Sequence, residues 1–198
     1  MSDVYEEHAP EKCPYCGRKI HYDTTNHMYF DPNIIACMCS IGRASPIVAV
    51  EYDGKWFSPT HFLRYNQRDG IIQVKDQHER RTFQILRYEA MREVEGFHDQ
   101  PYEQVRIFWQ NGDAVGFYTD NEYFGDRGIG HIYVRKEYRR QGKATGMINH
   151  FMNQNPTGNM YILSPKLTMY KVLLKMGYAQ KQVGGWKLIG RMKYMHAG

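Results

Sequence analysis

From Ile132 to Ala144 the chain reads Ile-Tyr-Val-Arg-Lys-Glu-Tyr-Arg-Arg-Gln-Gly-Lys-Ala, an apolar strand pattern that passes through a basic turn directly into a helix pattern. This junction constrains the fold more than any other segment, because the first N–H groups of a helix have no partner within it. Those amides and the positive end of the helix dipole converge where the turn ends, which suits a phosphate or pyrophosphate. Gly142 permits close backbone approach, and Arg139, Arg140 and Lys143 add positive charge. The glycine patterns of a P-loop and of a dinucleotide-binding turn are both absent.

Elements on either side predict a mixed architecture. Ile47 to Val50, Asp53-Gly54 and Trp56-Phe57 read as a hairpin, and a polar-aromatic stretch begins at Ser58-Pro59. Thr82 to Tyr88 reads as a strand and Glu89 to Gly96 as a short helix. Gln104 to Gln110 and Ala114 to Thr119 flank Asn111-Gly112, a strong two-residue hairpin turn. Gly128 to Arg135 is a further strand. Gly142 to Asn153 is an amphipathic helix with Ala144, Met147, Ile148, Phe151 and Met152 on one face. Met160 to Leu163 is a short strand; Ser164-Pro165 opens a helix to about Met176, and Gly177 closes it. Tyr178 to Val183 and Trp186 to Met192 form a last hairpin around Gly184-Gly185. Strands and helices intermixed in this way imply an α/β, mixed α+β chain with a mixed sheet covered by helices.

Charge is distributed unevenly. The chain carries net charge +5, yet the 61 residues from Tyr138 to Gly198 hold ten Lys and Arg and no Asp or Glu. The rest holds 16 basic against 21 acidic residues, net −5. A carboxylate-free half attracts an anionic partner, either a phosphorylated cofactor or nucleic acid; a solvated basic surface is the plainer alternative. The polar, acidic start lacks the features of a signal peptide, and apolar runs are far shorter than the roughly 20 residues that span a bilayer. A cytoplasmic protein without membrane association is expected.

With these features in hand, the chain resembles the GCN5-related N-acetyltransferase (GNAT) family. The family's acyl-CoA loop has Gln or Arg, two residues, Gly, one residue, then Gly or Ala, matched by Arg139-Arg140-Gln141-Gly142-Lys143-Ala144. The downstream order also matches: helix, short strand, a helix ending in Lys175-Met176-Gly177-Tyr178, and a closing hairpin. The likeness covers about residues 82–198 and implies a mostly antiparallel sheet flanked by helices. It implies acetyl-CoA as co-substrate, with the pantetheine arm along Ile132, Tyr133 and Val134. The pyrophosphate would lie on the amides of Gln141, Gly142, Lys143 and Ala144, beside Arg139 and Arg140. It further implies direct attack of an amine on the thioester, with a base and an acid. The family's usual acid position is Leu173 here, so Tyr170, one turn earlier, is the candidate acid; packing against Leu167 and Leu174 is its alternative role. The usual base position is Gly128, leaving His131 and Asp126 as candidates, His131 because its unperturbed pKa suits proton transfer near neutrality.

All four cysteines lie at the start, as Cys13-x-x-Cys16 and Cys37-x-Cys39. Two short-range thiolate pairs joined by a loop suit tetrahedral Zn²⁺, and four thiolates leave no open position, so the metal's role would be structural. A segment of about 45 residues buries little core, and a metal would supply folding energy. A site using His21 or His27 in place of one thiolate, disulfide exchange at Cys13-Pro14-Tyr15-Cys16, and plain buried thiols are the alternatives. The expected organisation is a zinc-binding module over residues 1–45 and a GNAT-like domain over 46–198, with its core at 82–198. The function expected is acetyl transfer from acetyl-CoA to an amine, with nucleic acid or protein among the candidate acceptors. The alternative is a non-catalytic GNAT-like module that binds nucleic acid or protein.

Overall fold

The computed structural model describes residues 10–20, 33–37, 46–64, 68–94, 97, 102–123, 125–163 and 165–195. Contacts divide the chain into two compact units. The first holds Met1–Asp69, Lys75–His98 and Trp109–Ala114; the second holds Gly70–Val74, Asp99–Phe108 and Val115–Gly198.

In the first unit, β1 (Ile34–Ala36), β2 (Ile47–Tyr52) and β3 (Lys55–Phe57) form an antiparallel sheet in that order. The β2–β3 turn has positive φ at both Asp53 and Gly54, as a type I′ hairpin requires. Helix α1 (Pro59–Phe62) is capped by the Ser58 hydroxyl, which accepts from His61 N at 3.2 Å. Helix α2 spans Gln77–Glu93. It replaces the strand-then-helix expected from Thr82 onward. The decisive signal is a capping box that precedes the apolar run: Asp76 accepts from Glu79 N at 2.8 Å, and Glu79 accepts from Asp76 N at 3.1 Å. Thr82, Phe83, Ile85, Leu86 and Ala90 are buried at helical spacing, and this packing overrides the weaker helix propensity of the β-branched Thr82 and Ile85 and the aromatic Phe83. His78 stacks on Phe62 with ring centroids 4.5 Å apart and meets Tyr52 edge-on at 5.4 Å.

A six-stranded sheet runs in the order β11-β8-β7-β6-β5-β4, comprising β4 (Gly70–Gln73), β5 (Gln104–Gln110), β6 (Asp113–Tyr123), β7 (Asp126–Val134), β8 (Met160–Leu163) and β11 (Met192–Met195). Positive φ at Asn111 and Gly112 makes the β5–β6 turn the one its sequence announces. The second unit's core joins Tyr118 and Ile129 of the sheet to Met147, Ile148 and Phe151 of α3 (Lys143–Gln154) and Leu173 of α4 (Leu167–Lys175). Helix α4 begins two residues later than Ser164-Pro165 suggests. Its N-cap is Lys166, without a side-chain cap. Its C-terminus is a Schellman motif: Tyr178 N donates to Leu173 O at 2.8 Å and Gly177 N to Leu174 O at 3.1 Å, with Gly177 at φ +77°. The expected closing hairpin is divided. Strands β9 (Ala179–Gln182) and β10 (Gly185–Leu188) form a separate two-stranded sheet, while β11 pairs parallel to β8. The whole is a mixed α/β fold with a mostly antiparallel sheet flanked by helices, as expected.

Gly116 sits opposite Val134, and a Cβ there would meet the Tyr133 carbonyl oxygen at 2.1 Å and Met147 Cε at 3.1 Å. Gly146, inside α3, has only Phe108 nearby at 3.8 Å. Gly116→Ala should therefore cost about 1–3 kcal/mol by overpacking, whereas Gly146→Ala should stabilise by roughly 0.5–1 kcal/mol. Urea unfolding of the two variants checks the opposite signs.

Candidate functional site

Strand β7 pairs antiparallel with β6 along its whole length, from Tyr123↔Asp126 to Gly116↔Val134. With β8 it pairs only at Arg127↔Met160, Gly128↔Tyr161 and Ile129↔Ile162. Among the described residues the ladder ends there, one residue before the end of β8 at Leu163. A β-bulge lies at the same level: Thr119 is opposite His131 while Asp120 is opposite Ile129, leaving Gly130 as the extra residue. The bulge shifts the alternation by one. Ile129 before it, and Ile132 and Val134 after it, all pack into the core with α3. His131 and Tyr133 take the opposite face, beside Thr119 and Phe117.

Peptide orientation beyond the bulge follows from one hydrogen bond. Arg135 N donates to Val115 O on β6 at 2.9 Å. Because successive residues of a strand direct their N–H and C=O groups to opposite sides, those of Val134 and Ile132 point away from β6, to the β8 side of the strand. The Val134 carbonyl accepts from Arg139 Nε at 2.8 Å. No described strand pairs with Ile132 on that side.

The basic turn follows at once. A 3-10 turn at Lys136–Tyr138 leads to Arg140 at φ +63° and Gly142 at φ +76°, and α3 starts at Lys143 with no side-chain cap. Gly146 N donates to Gly142 O at 2.9 Å, so the amides of the helix's first turn lie ahead of its first internal bond. A Cβ on Gly142 would meet nothing within 4 Å, so the space before the helix is open. Of the cations, Arg135 pairs with Glu137 at 2.9 Å, Arg139 lies over the Tyr133 ring, and Lys143 lies over the Phe108 ring at 5.7 Å. Gln141 Nε2 donates to Glu137 O at 3.1 Å, which ties the turn to itself.

The candidate acid and bases occupy distinct surroundings. His131 N donates to Thr119 Oγ1 at 2.9 Å, and its ring Nδ1 is 3.4 Å from the same oxygen. Asp126, at the start of β7, accepts from Asn159 through both N and Nδ2 at 3.2 and 3.3 Å. Leu173 is fully buried in the core. Tyr170 stacks on Trp186, centroids 5.8 Å apart and planes 20° apart, and lines a cleft of about 460 Å³ with residues of β9, β10 and β11. No β7 residue lines that cleft.

Sequence reasoning missed a polar group on the α3 side of the sheet. The Tyr118 hydroxyl is 2.9 Å from His150 Nδ1, and burial pushes the Tyr118 pKa up to about 12. Asp120 is buried between Arg106 at 2.6 Å and Arg127 at 2.8 Å, and Arg127 also binds Glu103 at 2.8 Å. Alternation along β6 places Tyr118 and Asp120 on one face; nothing in the sequence brings Arg106 and His150 to them.

Near the N-terminus, the sulfur atoms of Cys13, Cys16 and Cys37 lie within 4.8 Å of one another, with Cys13 and Cys37 buried. Cys13 N donates to Arg18 O and Gly17 N to Cys13 O, both at 2.8 Å, closing the turn that holds the first pair. Cys13 and Cys16 are free thiols, while Cys37 is disulfide-bonded. Cys39, His21 and His27 lie outside the described residues. No described helix is long and apolar enough to cross a membrane.

No family model matches the chain. It is similar to protein FAM169B of Mus musculus, 28% identical over an alignment of 214 residues that covers 87% of this chain and 62% of that protein. The chain thus spans less than two thirds of that relative's length. Among solved structures it is similar to YhhK of E. coli, a putative N-acetyl transferase, bound to coenzyme A. That likeness has TM-score 0.44 and 12% identity, over 62% of this chain and 99% of that one. It is similar also to the ribosomal-protein-S18-alanine N-acetyltransferase of Escherichia coli, with TM-score 0.41 and 13% identity over 54% of this chain and 75% of that one. An aminoglycoside acetyltransferase from an uncultured soil metagenomic sample gives TM-score 0.40 and 16% identity, over 61% and 91%.

Burial lowers the pKa of both His150 and His78 below the ordinary 6.5, with Arg106 a further cause for His150 and Arg68 for His78. The unfolded chain therefore takes up these protons first as pH falls. Stability should be full above pH 6.5 and fall progressively below it, toward the lowered folded values. Urea midpoints at pH 7.5 and 5.5 check this, and His150→Gln should narrow the difference between them.

Proposed function

We propose that the chain is an acyl-CoA-dependent N-acyltransferase, and the observation that carries this reading is the stretch of β7 beyond Ile129 that has no β8 partner among the described residues and leads through the basic turn to the uncapped first turn of α3. A strand edge with backbone groups facing away from β6 offers an extended, amide-bearing arm the hydrogen bonds of an added strand. The family resemblance gives that place to pantetheine. The uncapped amides of Lys143 and Ala144, with the positive end of α3, then suit the pyrophosphate, with Arg140 as a further cation. Coenzyme A supplies the activated thioester; the chain's residues bind and orient it.

In transfer, the amine nitrogen forms a bond to the acyl carbon and the carbon–sulfur bond breaks. One proton leaves the amine and one reaches the departing thiolate. His131 is the proposed base, its ring beside Thr119 Oγ1. Asp126 is engaged by Asn159 and is the poorer candidate. Tyr170 is the proposed acid. The second reading, a non-catalytic binding module, is favoured by one observation: the position where the family usually has its acid holds the buried Leu173.

Calorimetry with acetyl-CoA tests the first reading. The parent should bind in the micromolar range. Gly142→Glu, which projects a carboxylate into the open space before α3, should abolish binding without loss of thermal stability beyond that of Gly142→Ala. No binding by the parent would overturn the transferase reading and leave the module.

We further propose a structural zinc site at Cys13, Cys16, Cys37 and Cys39, the last of which lies outside the described residues. The donor set fits: three sulfur atoms within 4.8 Å of one another, two of them held by the turn at Cys13–Cys16, suit Zn²⁺. Cys37 must be reduced to serve as a ligand. Chain purified under reducing conditions should carry about one zinc, and removing it with a chelator should release additional titratable thiols and lower the melting temperature. A metal-free chain that shows only two titratable thiols before reduction would favour the disulfide instead.

A further inference from the structure

Among the cysteines, one contact belongs to two chemistries at once. The free Cys16 Sγ lies 3.9 Å from Cys37 Sγ, which is disulfide-bonded. Separate elements fix the two sulfurs. Cys16 sits in the turn closed by Gly17 N donating to Cys13 O at 2.8 Å, while Cys37 follows β1 and its N donates to Pro46 O at 2.8 Å. Cys13 and Cys37 are buried among Ile20, Ile35, Val48 and Ala49; Cys16 packs on the same cluster but is only half-buried. The chain's remaining cysteine, Cys39, lies outside the described residues.

The spacing suits a metal, because two thiolates on tetrahedral Zn²⁺, each at about 2.3 Å, stand roughly 3.8 Å apart. It also suits exchange, in which a thiolate attacks one sulfur of a disulfide and the other sulfur leaves with the bonding electron pair. The two states exclude each other, since a disulfide at Cys37 removes two sulfurs from the ligand set and a structural zinc site uses four. We infer that the cluster is an oxidation-sensitive zinc switch in which Cys16 is the entry point for oxidant and reductant. The inference rests on the zinc site proposed above and on no part of the acyl-CoA reading.

Exposure sets the order of steps. In the zinc-bound state the half-buried Cys16 thiolate attacks a hydroperoxide oxygen and breaks the O–O bond; Cys16 becomes a sulfenic acid, and an alkoxide or hydroxide leaves. The neighbouring Cys37 thiolate then displaces hydroxide from that sulfur and closes a Cys16–Cys37 disulfide. The peroxide has taken two electrons, and Zn²⁺ departs with half its ligands gone. Attack by a further cysteine thiolate on Cys37 Sγ expels Cys16 as a thiolate. The product has Cys37 in a disulfide and Cys16 free, which is the arrangement of the structure. Reduction reverses the path. Cys16 exchanges back onto Cys37, and a dithiol attacks the accessible Cys16 sulfur, expels Cys37 as a thiolate, then closes its own disulfide to release Cys16.

The test uses the zinc-loaded full chain, hydrogen peroxide as oxidant, a chromogenic zinc indicator and mass-spectrometric mapping of alkylated peptides. Zinc release and thiol loss should proceed together, at about one zinc and two thiols per chain. Dithiothreitol with added zinc should restore both. Quenching at early times should trap a Cys16–Cys37 linkage that gives way to the final disulfide at Cys37. Cys16→Ser and Cys13→Ser each remove one ligand, so both should hold zinc less tightly. Only Cys16→Ser should also slow thiol oxidation, and the reduction of the oxidised chain, several-fold. Zinc retained in excess peroxide, no Cys16–Cys37 linkage at any time, or equal oxidation rates in the two variants would each overturn the switch. A reduced chain that takes up no zinc would overturn the zinc site itself and the switch with it, a result the indicator reads before any oxidant is added.

Discussion

The acyl-transfer reading of this chain depends on β7 keeping one neighbour beyond the point where its ladder with the other ends. Its pairing with β6 continues to Val134, whereas its pairing with β8 stops at Ile129. A strand that lost both partners would leave buried peptide groups unsatisfied and would not hold its shape. One that kept both would have no edge to offer. The bulge at Gly130 lies where the β7–β8 ladder ends, and a bulge adds local twist to its strand. It also returns Ile132 and Val134 to the core after Ile129, so the far half of β7 stays anchored by α3. Gly116 completes the arrangement by letting β6 lie against the Tyr133 carbonyl without a side chain between them.

The polar residues around this frame stabilise it by different means. Asp120 is almost fully buried and meets two guanidinium groups, which satisfies its charge at the cost of desolvating all three. Removing either arginine alone would leave the carboxylate partly unpaired, so the cluster fixes β5, β6 and β7 in register more than it adds net stability. The Tyr118 hydroxyl has its partner in His150, a polar contact from α3 onto that part of β6. Desolvation holds both groups neutral near pH 7, and a neutral pair is the form that can be buried cheaply.

The parts legible in the sequence are those decided by local chemistry. Asn111-Gly112 forces a left-handed turn, Gly177 closes α4, and the alternation in Gln104 to Gln110 marks a strand whatever surrounds it. The basic turn before α3 is legible for the same reason. Helix α2 is not, because Thr82 to Tyr88 has strand-like composition, while the helix is set by Asp76 and Glu79 upstream of it. The last segment is ambiguous because Met192 to Met195 could extend a hairpin or join β8, and local sequence does not distinguish them. The end of the β7–β8 ladder is legible only through resemblance, since register between distant strands is a tertiary property. Tyr170 stands out from its helix position alone, and its stacking partner Trp186 comes from a strand 16 residues later.

The edge left open on β7 has a limited capacity, and this bounds what can lie along it. Of the two residues facing away from β6, Val134 has already given its carbonyl to Arg139 Nε, leaving its N–H. Ile132 keeps both donor and acceptor on that side. A ligand arm can therefore form one paired donor–acceptor contact at Ile132 and one acceptor contact at Val134 while Arg139 stays in place. A further donor on the arm would either share the Val134 carbonyl with the guanidinium, through its second lone pair, or displace it. That bond is solvent-exposed, so water can compensate much of its loss, and the released charge would stand next to the phosphate cradle at Arg140 and Gly142. Binding along the strand and binding in the turn are thus connected through a single side chain.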